Sequence, residues 1–294
     1  MDLAGAGIRT LTGALADLHL HSTASDGTLP PEAVVARAAE VGLAAIALTD
    51  HDTLAGLAVA IAAGERSGIR VVGGCEFSVA APWGEMHLLG YFLPPGDARL
   101  EALLLRQRED RARRARAMVE RLRHHDVPLS DEAVLRHAAG GSIGRPHVAR
   151  ALVETGVVGT VDEAFERWLR RGRPAYIPKV LPTLDEVAGE VHAVGGIVSA
   201  AHLRERGTRM ALERFIEQGL DALEVRHPAH PPELEARLLG TARALGLAPS
   251  GGSDWHGEIA AGTHGALGSA AVPLEWLDAL AARRPASPGG IPCP

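Results

Sequence analysis

The chain has 294 residues, 46% of them apolar, 22% charged and 3% aromatic, with a net charge of −6; this is enough for one large α/β barrel carrying an insertion, or for two domains, built on a core of Ala, Val and Leu. The acidic balance argues against a protein that coats long nucleic acid through bulk charge, and the few aromatics leave few platforms on which bases could stack. Two cysteines, Cys75 and Cys293, are too few for a disulfide framework or a thiolate zinc site, whereas fourteen histidines are many.

The opening segment MDLAGAGIRTLTGA lacks a basic start followed by an apolar run, and no run reaches the roughly 18 apolar residues of a membrane helix. A cytoplasmic protein without a membrane partner is expected. Seven short apolar runs then follow, most ending in polar residues: ALADLHLH (14–21), AAIALTDHD (44–52), IRVVGGCEF (69–77), MHLLGYFL (86–93), GIVSAAH (196–202), LDALEVRH (220–227) and LAPSGGSDWH (247–256). Stretches of helical periodicity separate them, the pattern of β-α alternation around a parallel sheet. In PPEAVVARAAEVG, prolines open a helix and Gly42 closes it, with Val34, Val35, Ala38 and Val41 spaced to face a core.

The alternation breaks once. Residues 97–174 read as helices and loops, which predicts a helical insertion between two barrel segments, 1–96 and 175–282, with a disordered tail over 283–294. The insertion opens with an arginine-rich helix in which Leu100, Leu103, Leu104, Met118, Val119 and Leu122 are the apolar positions. Acids interleave with its nine arginines between Arg99 and Arg123, so a solvated, salt-bridged face is expected there.

Residues at the carboxyl ends of parallel strands converge on one face. His19 and His21, two apart, can point the same way from the first run; Asp26 follows in an SDG turn; His51 lies between Asp50 and Asp52, either of which could instead cap the next helix. Glu76, His87, His202, Asp254 and His256 complete nine candidate ligands at the ends of six predicted parallel strands. Each alone has an ordinary structural explanation. Together, imidazole and carboxylate without thiolate suit manganese, iron or zinc in a catalytic cluster.

The motifs DLHLHSTASDGTLPPEAVV, ALTDHDT, GCEFS, AAH and GGSDWHG, in this order, resemble the polymerase and histidinol phosphatase (PHP) family of metal-dependent phosphoesterases. IGRPHVARALVETGVV, EAFERWLRRGRPAYIPK and VHAVGGIVSAAH are similar to the subgroup of nucleoside 3',5'-bisphosphate phosphatases and 5'-to-3' exoribonucleases of short RNA. The resemblance runs over about residues 16–270. It implies a distorted (β/α)7 barrel with a helical insertion over the metal face, and three divalent metals, manganese foremost. His19, His21, Glu76 and Asp254 would hold one; Glu76, His87 and His202 a second; Asp26, His51 and His256 a third. Relatives usually have His-Pro where this chain has His202-Leu203, and Trp255 stands at the aromatic position between the last Asp and His; both departures are expected near the leaving group.

Clustered cations suit hydrolysis of a phosphate ester by attack of a metal-bridging hydroxide. Asp254 and His202 are the candidates for proton transfer. Arg145 and Lys179, with Ser142, His147 and Arg204, are candidate substrate contacts, although an arginine before proline also serves as a loop anchor. A nucleotide or short oligonucleotide is the expected substrate. A histidinol-phosphatase type of monoesterase and a non-catalytic PHP binding module remain as alternatives.

Overall fold

The computed structural model describes residues 14–138, 143–258 and 265–285. All seven apolar runs contain strands: β1 (Leu15–Leu20), β2 (Ala45–Leu48), β3 (Arg70–Ala81), β4 (Gly84–Tyr91), β5 (Ile197–Ala200), β6 (Ala222–Arg226) and β7 (Ala248–Gly251). A short β8 (Val272–Pro273), which the sequence pattern does not announce, pairs antiparallel with β1. The sheet order is β7-β6-β5-β4-β3-β2-β1-β8, and a bridge from Leu20 to Trp255, just after β7, brings its ends together into a nearly closed barrel.

One expectation fails in direction. β4 runs antiparallel to both β3 and β5, because only Pro82 and Trp83 separate it from β3, and a two-residue link permits a hairpin but no crossover. Glu76 and His87 therefore lie within strands and not at parallel strand ends. β3 pairs with β2 only over Arg70–Gly73 and then runs on with β4. That overshoot brings Glu76 level with the loop after β2, where its N–H bonds the carbonyl of Thr49 at 3.0 Å.

Helices α1 (Pro31–Glu40) and α2 (Leu57–Ser67) connect the first three strands. α1 starts on proline and buries Val34, Val35 and Ala38 as its periodicity predicts, but Val41, one residue past its end, is 44% exposed. The insertion holds α3 (Ala98–Arg123), α4 (Asp131–Ala138), α5 (Arg145–Glu154) and α6 (Val161–Ala164), followed by a π-helical turn at Phe165–Leu169. Asp97 caps α3 by accepting the N–H groups of Arg99 and Leu100. Leu100, Leu103 and Leu104 of α3 join the barrel core, whereas Met118, Val119 and Leu122 join a separate cluster with Val134, Val148 and Leu152. One long helix thus ties the insertion to the barrel.

The remaining helices, α7 (Leu184–Ala193), α8 (Arg209–Glu217), α9 (Pro232–Leu245) and α10 (Leu274–Ala281), complete the barrel. In the segment read as tail, Arg283 and Arg284 bond the carbonyls of Gly246 and Gly195; residues 286–294, with Cys293, lie outside the described residues. Among the described residues no helix is long and apolar enough to cross a membrane.

Candidate active site

β1 carries Asp17 and His19 on one face, and His21 follows at its end. Asp17 turns away from the cluster and clamps the loop after β7, accepting the Ser253 N–H at 2.9 Å, the Ser253 hydroxyl at 2.6 Å and the Gly268 N–H at 2.9 Å. Gly252 lets that loop lie against β1, since a Cβ there would sit 2.4 Å from the His19 nitrogen. Asp254 can then reach His19 and His21: its Oδ1 lies 3.3 Å from the Nε2 of each.

Glu76 is the hub. Its Oε2 lies 3.2 Å from His19 Nε2, His21 Nε2 and His51 Nδ1, and its Oε1 lies 2.7 Å from His87 Nδ1 and 3.0 Å from His202 Nε2. On the far side of His21, Asp26 Oδ1 lies 3.2 Å from His256 Nε2. Three sets of donor atoms have all members within 4.8 Å of one another: His19, His21, Glu76 and Asp254; His51, Glu76 and His87; and His21, Asp26, His51 and His256.

These donors fit cations better than they fit each other. His19 Nε2, both ring nitrogens of His21, His51 Nδ1, His87 Nδ1 and Glu76 Oε2 are buried without a hydrogen-bond partner, a costly arrangement unless a ligand collects their lone pairs. Burial holds the His51 imidazole down to about 3, so one ring nitrogen keeps a free lone pair at neutral pH. Burial would raise the carboxyls of Glu76 and Asp26, yet the imidazoles around them, His51 and His87 for the one and His256 and His51 for the other, hold both well below the usual range.

Neighbours set the ring orientations. Glu224 of β6 accepts from His19 Nδ1 at 2.8 Å, which directs His19 Nε2 at the cluster, and its other oxygen accepts the His202 N–H at 2.6 Å. His256 Nδ1 donates to the Asp254 carbonyl at 2.8 Å, directing Nε2 toward Asp26. His227 accepts the Ala229 N–H on Nδ1 at 3.0 Å, so its proton sits on Nε2, 3.4 Å from Asp254 Oδ2.

A model of the PHP domain matches residues 17–169. The chain belongs to the PHP domain family. It is 35% identical over 247 residues to the 5'-3' exoribonuclease Rnm of Escherichia coli (strain K12), covering 82% of this chain and 84% of that protein. It is 36% identical over 248 residues to a 3',5'-nucleoside bisphosphate phosphatase of Chromobacterium violaceum, covering 82% and 86%. A solved structure from Bifidobacterium adolescentis, described as a candidate metal-dependent phosphoesterase, superposes with a TM-score of 0.84 at 34% identity over 92% of this chain and 96% of that one. This PHP protein is a metal-dependent phosphoric ester hydrolase, and its donor cluster suits divalent metals.

Beside the PHP donor cluster lies a cavity of about 140 Å³ bordered by Asp26, His51, Glu85 and His87 and lined with Arg111, Arg114, Arg145 and Lys179. Arg145, the first residue of α5, has a nitrogen 3.8 Å from Glu85. Lys179 donates to Ser78 and pairs with Glu85; burial, with Arg111 nearby, brings its ammonium down to about 8. His147 accepts the Gly144 N–H at 2.9 Å and so fixes the loop before Arg145, without lining the cavity. A second cavity, of about 210 Å³, lies over the donor cluster, bordered by His51, Glu76, His87, His202, Asp254 and His256; it is the candidate metal cavity, and Arg204 is exposed at its edge. Ser142 lies outside the described residues.

Arg111 and Arg114 depart from the solvated arginine face that the interleaved acids predict. Both are buried: Arg111 meets Asp52 Oδ2 at 2.5 Å and Arg114 donates to the Ile177 carbonyl. Their spacing by three on α3 puts them on the side that faces the barrel. Asp50 and Asp52 are not caps either. Asp50 gathers Ser22 and Ser25, Asp52 gathers Ser78 and Arg111, and Gly56 stands at the start of α2. Leu203 adopts φ −61°, the value a proline would impose, so the departure from His-Pro keeps the backbone turn. Trp255 is buried in the barrel core, away from the cavities.

Proposed function

We propose that the chain removes the 3'-phosphate of nucleoside 3',5'-bisphosphates, or acts on short 5'-phosphorylated RNA, using three divalent metals, manganese foremost, held by Glu76 and the eight candidate ligands around it. His19, His21, Glu76 and Asp254 would take one metal, Glu76, His87 and His202 a second, and Asp26, His51 and His256 a third. His51 also approaches Glu76, and His21 also approaches Asp26, so each can steady a neighbouring position. Bound there, divalent cations supply Lewis acidity, neutralising phosphoryl oxygens and lowering the pKa of water.

The observation that carries the substrate reading is the cationic cavity that adjoins the donor cluster. A second phosphate is an anion that three arginines and a lysine beside a metal site would hold, and we place it against Arg145 and Lys179, the candidate substrate contacts. A plain monoester has no use for that wall. The names of the relatives, an exoribonuclease and a nucleoside bisphosphate phosphatase, support the same class. Asp254 and His202, which border the metal cavity, are the residues assigned to proton movement at the departing oxygen. Asp254 has one oxygen toward His19 and His21 and the other toward the His227 Nε2 proton.

The test is phosphate release by the manganese-loaded protein from adenosine 3',5'-bisphosphate, AMP, a 5'-phosphorylated trinucleotide and histidinol phosphate. Preference for the bisphosphate or the RNA is the expected result; equal or better turnover of histidinol phosphate would replace the nucleotide reading with the monoesterase one. Arg145→Ala should lower kcat/KM for the bisphosphate roughly ten- to a hundred-fold, the scale of one charged hydrogen bond, with metal content unchanged.

A further inference from the structure

A third cavity, about 300 Å³, opens between the tip of the β3–β4 hairpin and the turn after β5. It shares His87 and His202 with the metal cavity and His87, Glu85 and Arg145 with the cationic one, so all three meet at His87. Its remaining walls differ from both, being Trp83, Met86, Ala201, Leu203 and Arg206. Met86 and Leu203 are buried floor. The indole of Trp83 is locked in place, donating from Nε1 to the Glu85 carbonyl at 3.0 Å, with the edge of Phe215 at 6.1 Å and the Arg206 guanidinium 5.4 Å above the ring. A fixed aromatic ring and a guanidinium plane are the surfaces on which nucleobases stack.

We infer that this cleft holds the nucleobase of the substrate, with Trp83 and Arg206 as its stacking wall; the inference rests on the nucleotide reading above. In a chain with so few aromatics, one stands where a base would emerge from a nucleotide that spans the metal and cationic cavities. The cleft grips by area, not by reading base edges. Among the described residues no side-chain amide lines it, and the one carboxylate, Glu85, is engaged by Lys179 and Arg145. The specificity is therefore for the presence of a base, with purines favoured over pyrimidines by contact area and little distinction between adenine and guanine.

The experiment compares kcat/KM for adenosine 3',5'-bisphosphate with that for the abasic tetrahydrofuran 3,5-bisphosphate, which keeps both phosphates. Wild type, Trp83→Leu and the exposed Arg206→Met are measured in the manganese-loaded state. Wild type should prefer the nucleotide, and both variants should lose that preference roughly ten-fold or more, mostly in KM. An absence of preference in wild type, or an equal fall on both substrates in both variants, would overturn the inference. Should wild type turn over neither compound, the bisphosphate reading falls and only the RNA one stands. Calorimetric binding of AMP against ribose 5-phosphate, in wild type and Arg206→Met, then decides the cleft alone: loss of an AMP preference in the variant upholds it, and equal binding in wild type refutes it.

Discussion

Several candidate ligands of the cluster, His19, His202 and His256 among them, are held in position by a neighbour. Glu224 touches two of them, His19 through the ring and His202 through the backbone N–H. Glu224→Ala should cost roughly 10- to 100-fold in manganese affinity or turnover, with Glu224→Gln recovering part of the loss because an amide oxygen can still accept from His19. Manganese titration followed by competition with a chelator measures this directly; unchanged affinity in the alanine variant would remove Glu224 from the site. His227 makes a sharper case, because Ala229 leaves its proton on Nε2. His227→Gln presents an N–H near the same point and should stay close to wild type, while His227→Ala should resemble the Glu224→Ala variant. The nine candidate ligands could be picked out because histidine and acid residues after apolar runs stand out against their surroundings, and the fold brings them near one another. Glu224 and His227 sit in LDALEVRH after an equally apolar run, but a strand buried on both faces has no alternation from which to read which residues turn toward the site.

At the scale of elements, the positions of the seven strands follow from the apolar runs, yet the direction of β4 does not, because Pro82-Trp83 carries none of the Gly, Asn or Asp signal that marks a two-residue hairpin link. The insertion was legible as helices, but the burial of Arg111 and Arg114 was not, since the interleaved acids mimic a solvated face. The insertion's own core makes a prediction. Leu152→Ala, fully buried on α5 in the cluster around Met118 and Val148, should cost about 2–5 kcal/mol in stability. It should also raise KM for the bisphosphate, because α5 begins with Arg145. A second prediction concerns α7, whose His192 donates to Asp221 at 2.7 Å while Asp221 also accepts the Val198 N–H at the start of β5. That bond, ahead of the opposing effect of partial burial, raises the His192 imidazole above its ordinary 6.5. A group with a raised folded pKa stabilises fully below its unfolded pKa and loses that contribution as pH climbs through the folded one. Wild type should thus exceed His192→Gln in Tm at pH 6, by no more than about 2–4 °C for a partly exposed pair, and the gap should shrink by pH 9. A gap that grows with pH would contradict the assignment.

Across the whole molecule, the donor cluster joins parts of the chain that are far apart in sequence: the end of β1, the loop after β2, the β3–β4 hairpin, and the turns after β5 and β7. Without a bound group, several of its nitrogens and one oxygen are buried with no partner, and the folded state bears that cost. Metal binding should therefore stabilise the entire barrel and not only a loop. For one site held at a hundred times its dissociation constant, the gain is about 2.7 kcal/mol, which corresponds to a rise in Tm of several degrees for a chain of this size. Manganese should raise Tm in a concentration-dependent way, and EDTA should return it to a common baseline. Glu76→Gln, which weakens the carboxylate shared by all the surrounding imidazoles, should lose most of that rise, whereas Arg145→Ala should keep it. The two variants separate the roles of the two cavities: one loses metal and activity together, the other activity alone. A full manganese shift in Glu76→Gln would mean that the cations bind elsewhere, and the hub would have to be reassigned as a structural carboxylate.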